Sequence, residues 1–440
     1  KNSKNTYSTL FISSDVLAFI KYTDNAIFLS NKEFFIIKQT KRGYNLSIYN
    51  ENGSKIAKDI TQIAWEFAGV DKGKYAHYTL KEIHEQEYTV AKALITKVSD
   101  EFLKLLTNAR RVIVTGSGSS YHASLYAKYM LAKANVSIDS CIASELKYNS
   151  IDSSDLILAI SQSGETADLL DAVKHAKSKG CKILSIVNVS TSSLARESDR
   201  FVSINAGPEI GVAATKSFTA QLALIYKIAL VAYGSNNSKQ QYSNNGDSNN
   251  NAYSILDSLS SIISNGIKDI IARDGISKIA NKLRDVNDII IIGKGINHII
   301  ALEGALKLKE LAYIHAEAIS AGELKHGPLA LIDKSSIVIA LNPKDYTYKD
   351  VINSIKEVKA RGAYVIGVSD SYCNEYDAML ELPSVNSNSN YYDGAITETA
   401  SLIYPIYECI PLQLLAYNIA VKKNINPDYP RNIAKSVTVT

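Results

Sequence analysis

The chain has 440 residues, enough for about two or three domains of ~150 residues each. Its composition, 46% hydrophobic and 21% charged, is that of an ordinary globular protein, and no apolar run approaches the ~20 residues of a membrane span. The net charge of +4 is small and the lysines are scattered, so nucleic acid is not a favoured partner. The four cysteines lack metal-ligand spacing and no secretory signal is visible, so we expect a reduced, cytoplasmic setting.

The first strand-turn-helix block is VIVTGSGSSYHASLYAKYML, Val112 to Leu131. It predicts a buried strand, a G-x-G turn and a helix, and a dinucleotide-binding turn is the natural competitor. That fingerprint needs a third glycine where this chain has Tyr121, and no convincing acidic residue stands at a strand end ~20 residues later. The broken fingerprint argues against a dinucleotide.

The next turn is more informative, because an apolar run ends there in a cluster of hydroxyl, amide and glycine residues. Leu156 to Ile160 is typical of a buried parallel strand, and Thr166 to Ala176 predicts an amphipathic helix. The turn between them exposes the N–H groups and the positive dipole end of the helix, which favour an anion. Four side chains can add neutral donors around a phosphate: Ser161, Gln162, Ser163 and Thr166.

A helix cap is the alternative role of Ser163 or Thr166, because serine and threonine commonly cap helices. One cap explains one hydroxyl and not four donors, so the sequence favours a phosphate cradle. The carboxyl ends of neighbouring parallel strands usually share one crevice. We therefore expect Ser119 and Ser120, from the G-x-G turn, to join the cradle.

The segment GSNNSKQQYSNNGDSNNN, from Gly234 to Asn251, predicts a linker or long loop, because it has no residues for a core. The blocks on either side of it resemble each other, and the second is IIIIGKGINHIIALEGALKL, Ile289 to Leu308. Aligning Gly116 with Gly293 gives an offset of 177 residues, and the ends of the next pair of strands give 181. A near-constant offset predicts a duplicated α/β domain.

The two copies differ at the positions expected to carry chemistry. After its strand IVIAL, the second copy continues with NPKDYT, Asn342 to Thr347, so the serine cluster is missing there. We therefore expect only the first copy to hold a phosphate at this turn.

Titratable residues in the second copy and the tail form a second group of candidates. Glu303, Lys307 and Glu310 recur at i, i+4 and i+7, and this spacing alone favours an exposed, ion-paired helix. His326 lies between two glycines, which let it approach a ligand closely, although a lone loop histidine is more often merely solvated. Lys435 lies in a tail without helical periodicity, typical of a frayed terminus, although the tail is apolar enough to fold inward.

These segments together resemble the sugar isomerase part of the glutamine:fructose-6-phosphate amidotransferase family. The resemblance rests on SQSGETAD, on the run Ala301 to Asp333 with its GELKHGPLALID, and on the tail PRNIAKSVTVT. It extends over nearly the whole chain from about Phe11 onward. It implies an α/β fold with two tandem sugar isomerase domains, each a parallel sheet flanked by helices and preceded by a small β-rich segment.

The resemblance also implies a division of the chain. Residues 1–65 resemble the end of a glutaminase domain, and residues 66–90 a connecting helix. No cysteine precedes Cys141, so we expect the glutaminase nucleophile to be absent here and ammonia to come from elsewhere. The remaining divisions are the first isomerase domain, the Asn/Ser-rich loop, the second isomerase domain and the catalytic tail: 91–233, 234–253, 254–422 and 423–440.

Four residues match catalytic positions of the family. Glu310 matches the glutamate that transfers a proton between C1 and C2 of the sugar, and Lys307 matches the catalytic lysine near it. His326 matches a histidine that opens the sugar ring and is contributed across a dimer interface. Lys435 matches a lysine that reaches the sugar carbonyl and can form an imine.

The reaction implied by the resemblance converts fructose 6-phosphate into glucosamine 6-phosphate, with ammonia or glutamine-derived nitrogen, in a homodimer without cofactor or metal. Glu209 and Val212 match sugar-contacting residues, although Glu209 could equally cap its loop. An aldose-ketose phosphosugar isomerase and a non-catalytic sugar-phosphate sensor remain open alternatives. The four catalytic matches argue against a sensor, and the intact tail favours amination.

Overall fold

The chain forms two compact units, the first ending at Gly73 and the second beginning at Lys74. The sequence prediction ended its N-terminal segment earlier, at residue 65. The computed structural model describes residues 6–7, 9–13, 18–19, 22–30, 32–41, 43–62, 71–240, 248–385 and 403–438.

The N-terminal unit is built from short antiparallel strands. Its strands are β1 (Thr6–Tyr7), β2 (Asn25–Ala26), β3 (Phe34–Thr40), β4 (Gly43–Tyr49), β5 (Lys55–Ile56) and β6 (Thr61–Gln62). β3 and β4 form a hairpin, β1 and β5 pair with β4, and β2 pairs with β6. The unit is thus β-rich, as the sequence predicted, while its relation to a glutaminase domain stays a prediction.

Three helices precede the first parallel sheet: α1 (Tyr78–His84), α2 (Gln86–Ile95) and α3 (Asp100–Asn108). α3 begins where the Ser99 hydroxyl accepts the N–H of Phe102 at 3.2 Å, and two acidic residues in its first turn suit the helix dipole. The apolar face of α2 is buried at Val90, Ala93 and Leu94.

The first sheet has five parallel strands in the order β8-β7-β9-β10-β11. All seven residues of β9 are buried, as a central parallel strand with both faces covered requires, so the predicted strand is confirmed. The elements of this half are β7 (Arg111–Gly116), α4 (Ser119–Lys133), β8 (Ile138–Ile142), β9 (Asp155–Ser161), α5 (Ala167–Ser178), β10 (Lys182–Val187), α6 (Ser193–Glu197), β11 (Arg200–Ser203) and α7 (Lys216–Gln240).

The second sheet repeats this arrangement, with the parallel order β13-β12-β14-β15-β16. Its elements are α8 (Ser248–Ile271), α9 (Gly275–Lys282), β12 (Asp288–Gly293), α10 (Ile296–Ala312), β13 (His315–Ser320), β14 (Ile337–Leu341), α11 (Tyr348–Lys359), β15 (Tyr364–Ser369), β16 (Ala378–Glu381) and α12 (Tyr404–Lys422). In each sheet, the second strand along the chain (β8 or β13) lies at the edge, and the first strand (β7 or β12) lies between it and the third.

The two G-x-G turns are also equivalent in detail. Gly118 and Gly295 precede α4 and α10 with φ of 56° and 60°, a left-handed conformation that favours glycine. A Cβ on Gly116 or Gly293 would lie 2.7 Å from the backbone of the following helix, so only glycine fits. The predicted duplication of an α/β domain is therefore confirmed.

The Asn-rich segment differs from its prediction as a loop over 234–253. α7 extends to Gln240 and α8 begins at Ser248, so only residues 241–247 fall between them, and these lie outside the described residues. Adding a residue to an existing helix avoids the cost of nucleation, so residues of low helix propensity such as Asn and Ser can extend one.

One hydrophobic core joins the two halves of the second unit. It contains residues of α4 and α7 from the first half together with residues of α10 and α12 from the second. Within the described ranges, no helix combines the length and the apolar character that crossing a membrane requires.

Candidate active site

The turn between β9 and α5 forms a cradle of small polar groups. The Ser161 hydroxyl accepts the N–H of Gly164 at 2.9 Å, and the Ser163 hydroxyl accepts the N–H of Glu165 at 3.2 Å. Each hydroxyl therefore keeps its own hydrogen for a ligand. Thr166 is the N-cap residue of α5, but its side chain makes no capping hydrogen bond. Gln162 is half-buried beside them, and its main-chain carbonyl accepts the N–H of Asn188 at 3.2 Å.

The two serines of the first G-x-G turn have different partners. Ser119 donates to Glu303 Oε1 at 2.8 Å and accepts from Lys307 Nζ at 3.2 Å, so its hydroxyl faces a helix of the second half. Ser120 accepts from Gln221 Nε2 at 3.2 Å and keeps its hydrogen. Successive residues in a helix point about 100° apart, which explains why the two hydroxyls have different partners. That both serines join the cradle around a phosphate, as the sequence predicted, stays a prediction.

The turns after β7 and β9 lie at the edge where parallel-sheet proteins bind ligands. β7 and β9 are neighbours, and β8, which follows β7 in the chain, lies on the other side of β7. At such a reversal of strand order, the connections leave on opposite faces and open a crevice beyond the carboxyl ends of the strands. The cradle residues Ser161, Ser163 and Thr166 lie at this crevice.

A buried ion-pair network lies on α10. The Lys307 ammonium is 2.6 Å from Glu310 Oε2 and 3.2 Å from Glu303 Oε1, and it donates to the carbonyl of Ala214 at 3.2 Å. Burial alone would lower the pKa of Lys307, but the two carboxylates outweigh burial and raise it. Burial alone would raise the pKa of Glu303, but Lys307 and then His122 lower it.

The exposed helix that the spacing alone favoured is wrong for this face of α10. Glu303 and Lys307 are 2% and 0% exposed, and only Glu310, at 23% of its side chain, reaches solvent. Because Lys307 is buried and paired with both carboxylates, it stays charged and fixed in place. It thus lies beside Glu310, the carboxylate that a ligand can reach.

A second buried pair joins the tail to the loop before α7. Lys435 Nζ lies 2.5 Å from Glu209 Oε2, and Glu209 is fully buried. The carboxylate also accepts the N–H groups of Thr215 and Ser217, each at 3.0 Å. Burial alone would raise the pKa of Glu209, but Lys435 outweighs it and lowers the pKa to about 2. Glu209 therefore caps its loop, as one alternative held, and also contacts Lys435.

The tail is fixed to the protein at two further points. The carbonyl of Val437 accepts the N–H of Ala167 at 3.0 Å, at the first residue of α5. Upstream, the carbonyl of Asp428 accepts the N–H of Val212 at 3.1 Å, and its carboxylate accepts the N–H of Thr79 at 2.8 Å. The tail is thus packed against the cradle and is not a frayed terminus.

Glu82 on α1 supports the loop that carries Glu209. Its carboxylate accepts the N–H of Ile210 at 2.5 Å and that of Gly211 at 3.2 Å. Burial, and then the negative charge of Glu209, raise the pKa of Glu82 to about 7. A Cβ on Gly211 would lie 2.9 Å from both Glu82 and Thr79, so the loop approaches α1 as closely as glycine allows.

His326 lies apart from these contacts. It ends the 3-10 turn Ala321–His326 and is exposed, with no hydrogen bond or ion pair to any other described residue. A single chain therefore joins Lys307, Glu310 and Ser119 in one network, and Glu209 with Lys435 in another, without His326.

Three polar residues of this region were missed by the sequence analysis: Glu82, His122 and Asp428. His122 Nδ1 lies 2.7 Å from Glu303 Oε2, a partner 181 residues away. No local spacing marks these residues, because each acts on an element distant in the chain. For His122, the one signal in the sequence was the constant offset of the repeat. The offset makes α4 and α10 equivalent helices, and both pack into one core. Within the described ranges, no three His, Cys, Asp or Glu side chains are arranged to hold a metal ion.

Comparison with known proteins defines the class first. The family model of the SIS domain matches residues 105–231 and 282–422, which are the two halves described above. The chain is therefore a protein with two SIS domains.

Sequence relatives narrow this class. The chain is 40% identical over 440 residues to a glutamine–fructose-6-phosphate aminotransferase (isomerizing) of Pyrococcus horikoshii, covering 98% of this chain and 68% of the relative. It is 36% identical to the protein of the same name from Caldanaerobacter subterraneus, covering 69% of it. A solved C-terminal domain of glucosamine-fructose-6-phosphate aminotransferase from Francisella tularensis matches with 33% identity and a TM-score of 0.70, over 82% of this chain and all of that one. The chain belongs to the glutamine–fructose-6-phosphate aminotransferase (isomerizing) family, so the family predicted from its motifs is confirmed.

Proposed function

We propose that this chain binds fructose 6-phosphate in the crevice of its first half and aminates it to glucosamine 6-phosphate. The names of its relatives supply the substrate and the class of reaction. The observation that carries the proposal is the position of Lys435, 2.5 Å from the buried Glu209, in a tail whose Val437 is bonded to the first residue of α5. A lysine beside a phosphate cradle suits imine chemistry on a ketose, which a plain isomerase does not need.

The phosphate is held by neutral donors. The residues that supply them, Ser161, Gln162, Ser163 and Thr166, lie in the turn between β9 and the N-terminus of α5, whose dipole favours an anion. Ser120 adds a hydroxyl from the neighbouring turn. Val212 lies in the loop held by Glu82 and Asp428, and we assign it to contact the sugar.

The sugar chemistry then proceeds at C1 and C2. The Lys435 amine, once it has lost its proton, attacks C2 of the open-chain ketose and water leaves, giving an imine that ammonia displaces. Glu310 takes a proton from C1 and returns one to C2, which converts the 2-imine into a 2-amino aldose. The overall change is fructose 6-phosphate plus ammonia to glucosamine 6-phosphate plus water, with Lys307 fixing the charge and orientation of Glu310.

Ring opening is assigned to His326 of a second copy of the chain. The residue is exposed and has no partner among the described residues. A Cβ on Gly322 or Gly327, the glycines of this loop, would have no atom within 4 Å, so the loop leaves space for a second chain. A homodimer in which each His326 enters the crevice of the other copy would complete the site. The nitrogen source is ammonia, supplied free or from glutamine.

The test is a product assay with fructose 6-phosphate and ammonium, glutamine or no nitrogen donor. We expect glucosamine 6-phosphate with ammonium, and its loss in Lys435→Ala but not in the matched control Lys422→Ala. Formation of glucose 6-phosphate alone would instead support an isomerase, and binding without turnover would support a sensor. Mixing Lys435→Ala with His326→Ala tests the shared site, because a mixed dimer regains one intact crevice only if His326 acts across the interface.

A further inference from the structure

His122 lies at the contact between the two halves of the second unit. It is in the first turn of α4, and 14% of its side chain is exposed. It lines a pocket of about 210 Å³ together with Tyr121 and Lys309, so one side of the ring meets solvent. On the other side, its Nδ1 is 2.7 Å from Glu303 Oε2 on α10.

The hydrogen bond to Glu303 continues into the catalytic helix. Glu303 Oε1 accepts from Ser119 at 2.8 Å and lies 3.2 Å from Lys307 Nζ, which is 2.6 Å from Glu310. The two oxygens of Glu303 thus have separate partners, with His122 on Oε2 and with Ser119 and Lys307 on Oε1. Because an ionised carboxylate only accepts, Nδ1 of His122 carries the proton in this bond.

The partners of the two Glu303 oxygens determine how close Lys307 lies to each of its two carboxylates. Two carboxylates compete for one buried ammonium, and Lys307 is closer to Glu310 than to Glu303. The donor from His122 satisfies the second oxygen of Glu303 and so reduces its pull on Lys307. His298, five residues before Glu303 on α10, is a further titratable group near His122 besides Tyr121 and Lys309, and its Nδ1 has no partner among the described residues.

We propose that His122 is a positioning residue for the proton-transfer carboxylate Glu310, acting across the two halves through Glu303 and Lys307. This inference rests on the proposed function, because it gives His122 a part in the step assigned to Glu310. Without the donor, Glu303 Oε2 is a buried carboxylate oxygen without a partner, and it draws Lys307 away from Glu310. Glu310 then loses its fixed orientation toward the sugar.

The test compares His122→Phe, which removes the donor, with His122→Asn, whose amide nitrogen replaces Nδ1. With fructose 6-phosphate and ammonium we expect kcat to fall roughly 10- to 100-fold in His122→Phe, with KM changed less than about twofold, because the phosphate cradle is untouched. We expect His122→Asn to recover kcat to within about threefold of the parent. Tyr121→Phe is the matched control, since it removes a polar group from the same pocket, and the Tyr121 hydroxyl has no hydrogen bond to a carboxylate within the part of the chain that the structure describes.

A crystal structure of His122→Phe gives a readout that does not depend on turnover. We expect Lys307 Nζ to move beyond hydrogen-bond distance of Glu310 and toward Glu303. An unchanged distance from Lys307 to Glu310, or equal loss of kcat in the Phe and Asn variants, would overturn the proposal. If the parent protein fails to aminate or isomerise fructose 6-phosphate, the proposed function fails, while the Lys307 displacement still decides whether His122 positions this network.

Discussion

The turn after β9 and the turn after β14 occupy equivalent places in the two halves, and their side chains are used differently. The 181-residue offset places Thr166 on Thr347, and both are N-cap residues of the following helix. The Thr166 side chain has no capping bond, whereas the Thr347 hydroxyl is 2.7 Å from Asp345 and 3.2 Å from Asn297. The second half satisfies these groups internally, and the first half leaves them for a ligand.

The second crevice is also occupied by its own side chains. Asn297, which the 177-residue offset places on Ser120, donates to Asp345 at 2.9 Å and so ties the G-x-G turn to the turn after β14. The Tyr346 hydroxyl lies 2.7 Å from where a Cβ on Gly295 would be, and it pairs with the hydroxyl of Tyr129. A carboxylate at this place also repels an anion. The two copies thus share a fold, while the second copy fills its crevice with its own side chains and carries the buried ion-pair network on its helix α10.

The largest effect is expected at Lys307, where the second half reaches the site of the first. In Lys307→Met, Glu303 and Glu310 lose their shared cation, so we expect activity to fall at least about 100-fold and the free energy of unfolding to fall by about 3–5 kcal/mol. Product assays and urea denaturation measure the two effects. Lys309→Met, an exposed position on the same helix, is the control and should change both only slightly. If Lys307→Met and Lys309→Met changed activity and the free energy of unfolding equally, Lys307 would have no part in the site of the first half.

The loop that follows the first sheet is expected to make stability depend on pH through Glu82. Its pKa is about 7 in the folded protein against 4.5 when unfolded, so the folded state binds the proton more tightly between these values. Stability therefore falls as pH rises from 4.5 to 7, by roughly 3 kcal/mol, and is then level. We expect Glu82→Gln, which keeps an acceptor for Ile210 and Gly211, to lose this dependence.

The measurement for Glu82 is the difference in unfolding free energy between Glu82→Gln and the parent across pH 4.5–8. The unfolding free energy of Glu82→Gln should rise relative to that of the parent as pH rises through this window. Glu87→Gln on α2, a substitution of the same kind, is the control. A difference that stays flat with pH would mean that Glu82 is not held protonated by burial and by Glu209.

The fold and the position of the candidate phosphate turn were predictable from sequence, because both depend on local patterns. The buried run of β9, the serines after it and the G-x-G repeat are contiguous, so periodicity and the constant offset located them. The charge network was not predictable in the same way. The i, i+4, i+7 spacing on α10 fits an exposed helix equally well, and only packing against α4 and α12 buries Lys307. The acceptor Glu82 and the donor His122 have partners more than a hundred residues away, which no local pattern encodes.

Thr166 and Thr347 offer a smaller and more direct comparison, because the same residue type stands at the same place in each half. Thr166→Ala removes a donor to the phosphate, and we expect KM for fructose 6-phosphate to rise about 10-fold with kcat and stability little changed. Thr347→Ala breaks internal hydrogen bonds, and we expect stability to fall by about 1–2 kcal/mol with KM unchanged. Steady-state kinetics and thermal unfolding on both variants complete the pair. A rise in KM for Thr347→Ala would contradict the division of roles.

The smallest effect is expected at Lys294, which the 177-residue offset places on Ser117. Lys294 is the one position in this turn where the second half carries a cation, yet it lies 2.5 Å from Asp350 and both side chains are largely exposed. Exposed pairs of this kind contribute less than about 1 kcal/mol, so Lys294→Ser should hardly change the unfolding free energy. It should also leave KM for fructose 6-phosphate unchanged, because the cation is already neutralised and the crevice beside it is closed by Asp345 and Asn297. An increase in KM would mean that the second half still attracts the sugar phosphate, and that the loss of its serines did not end its part in binding.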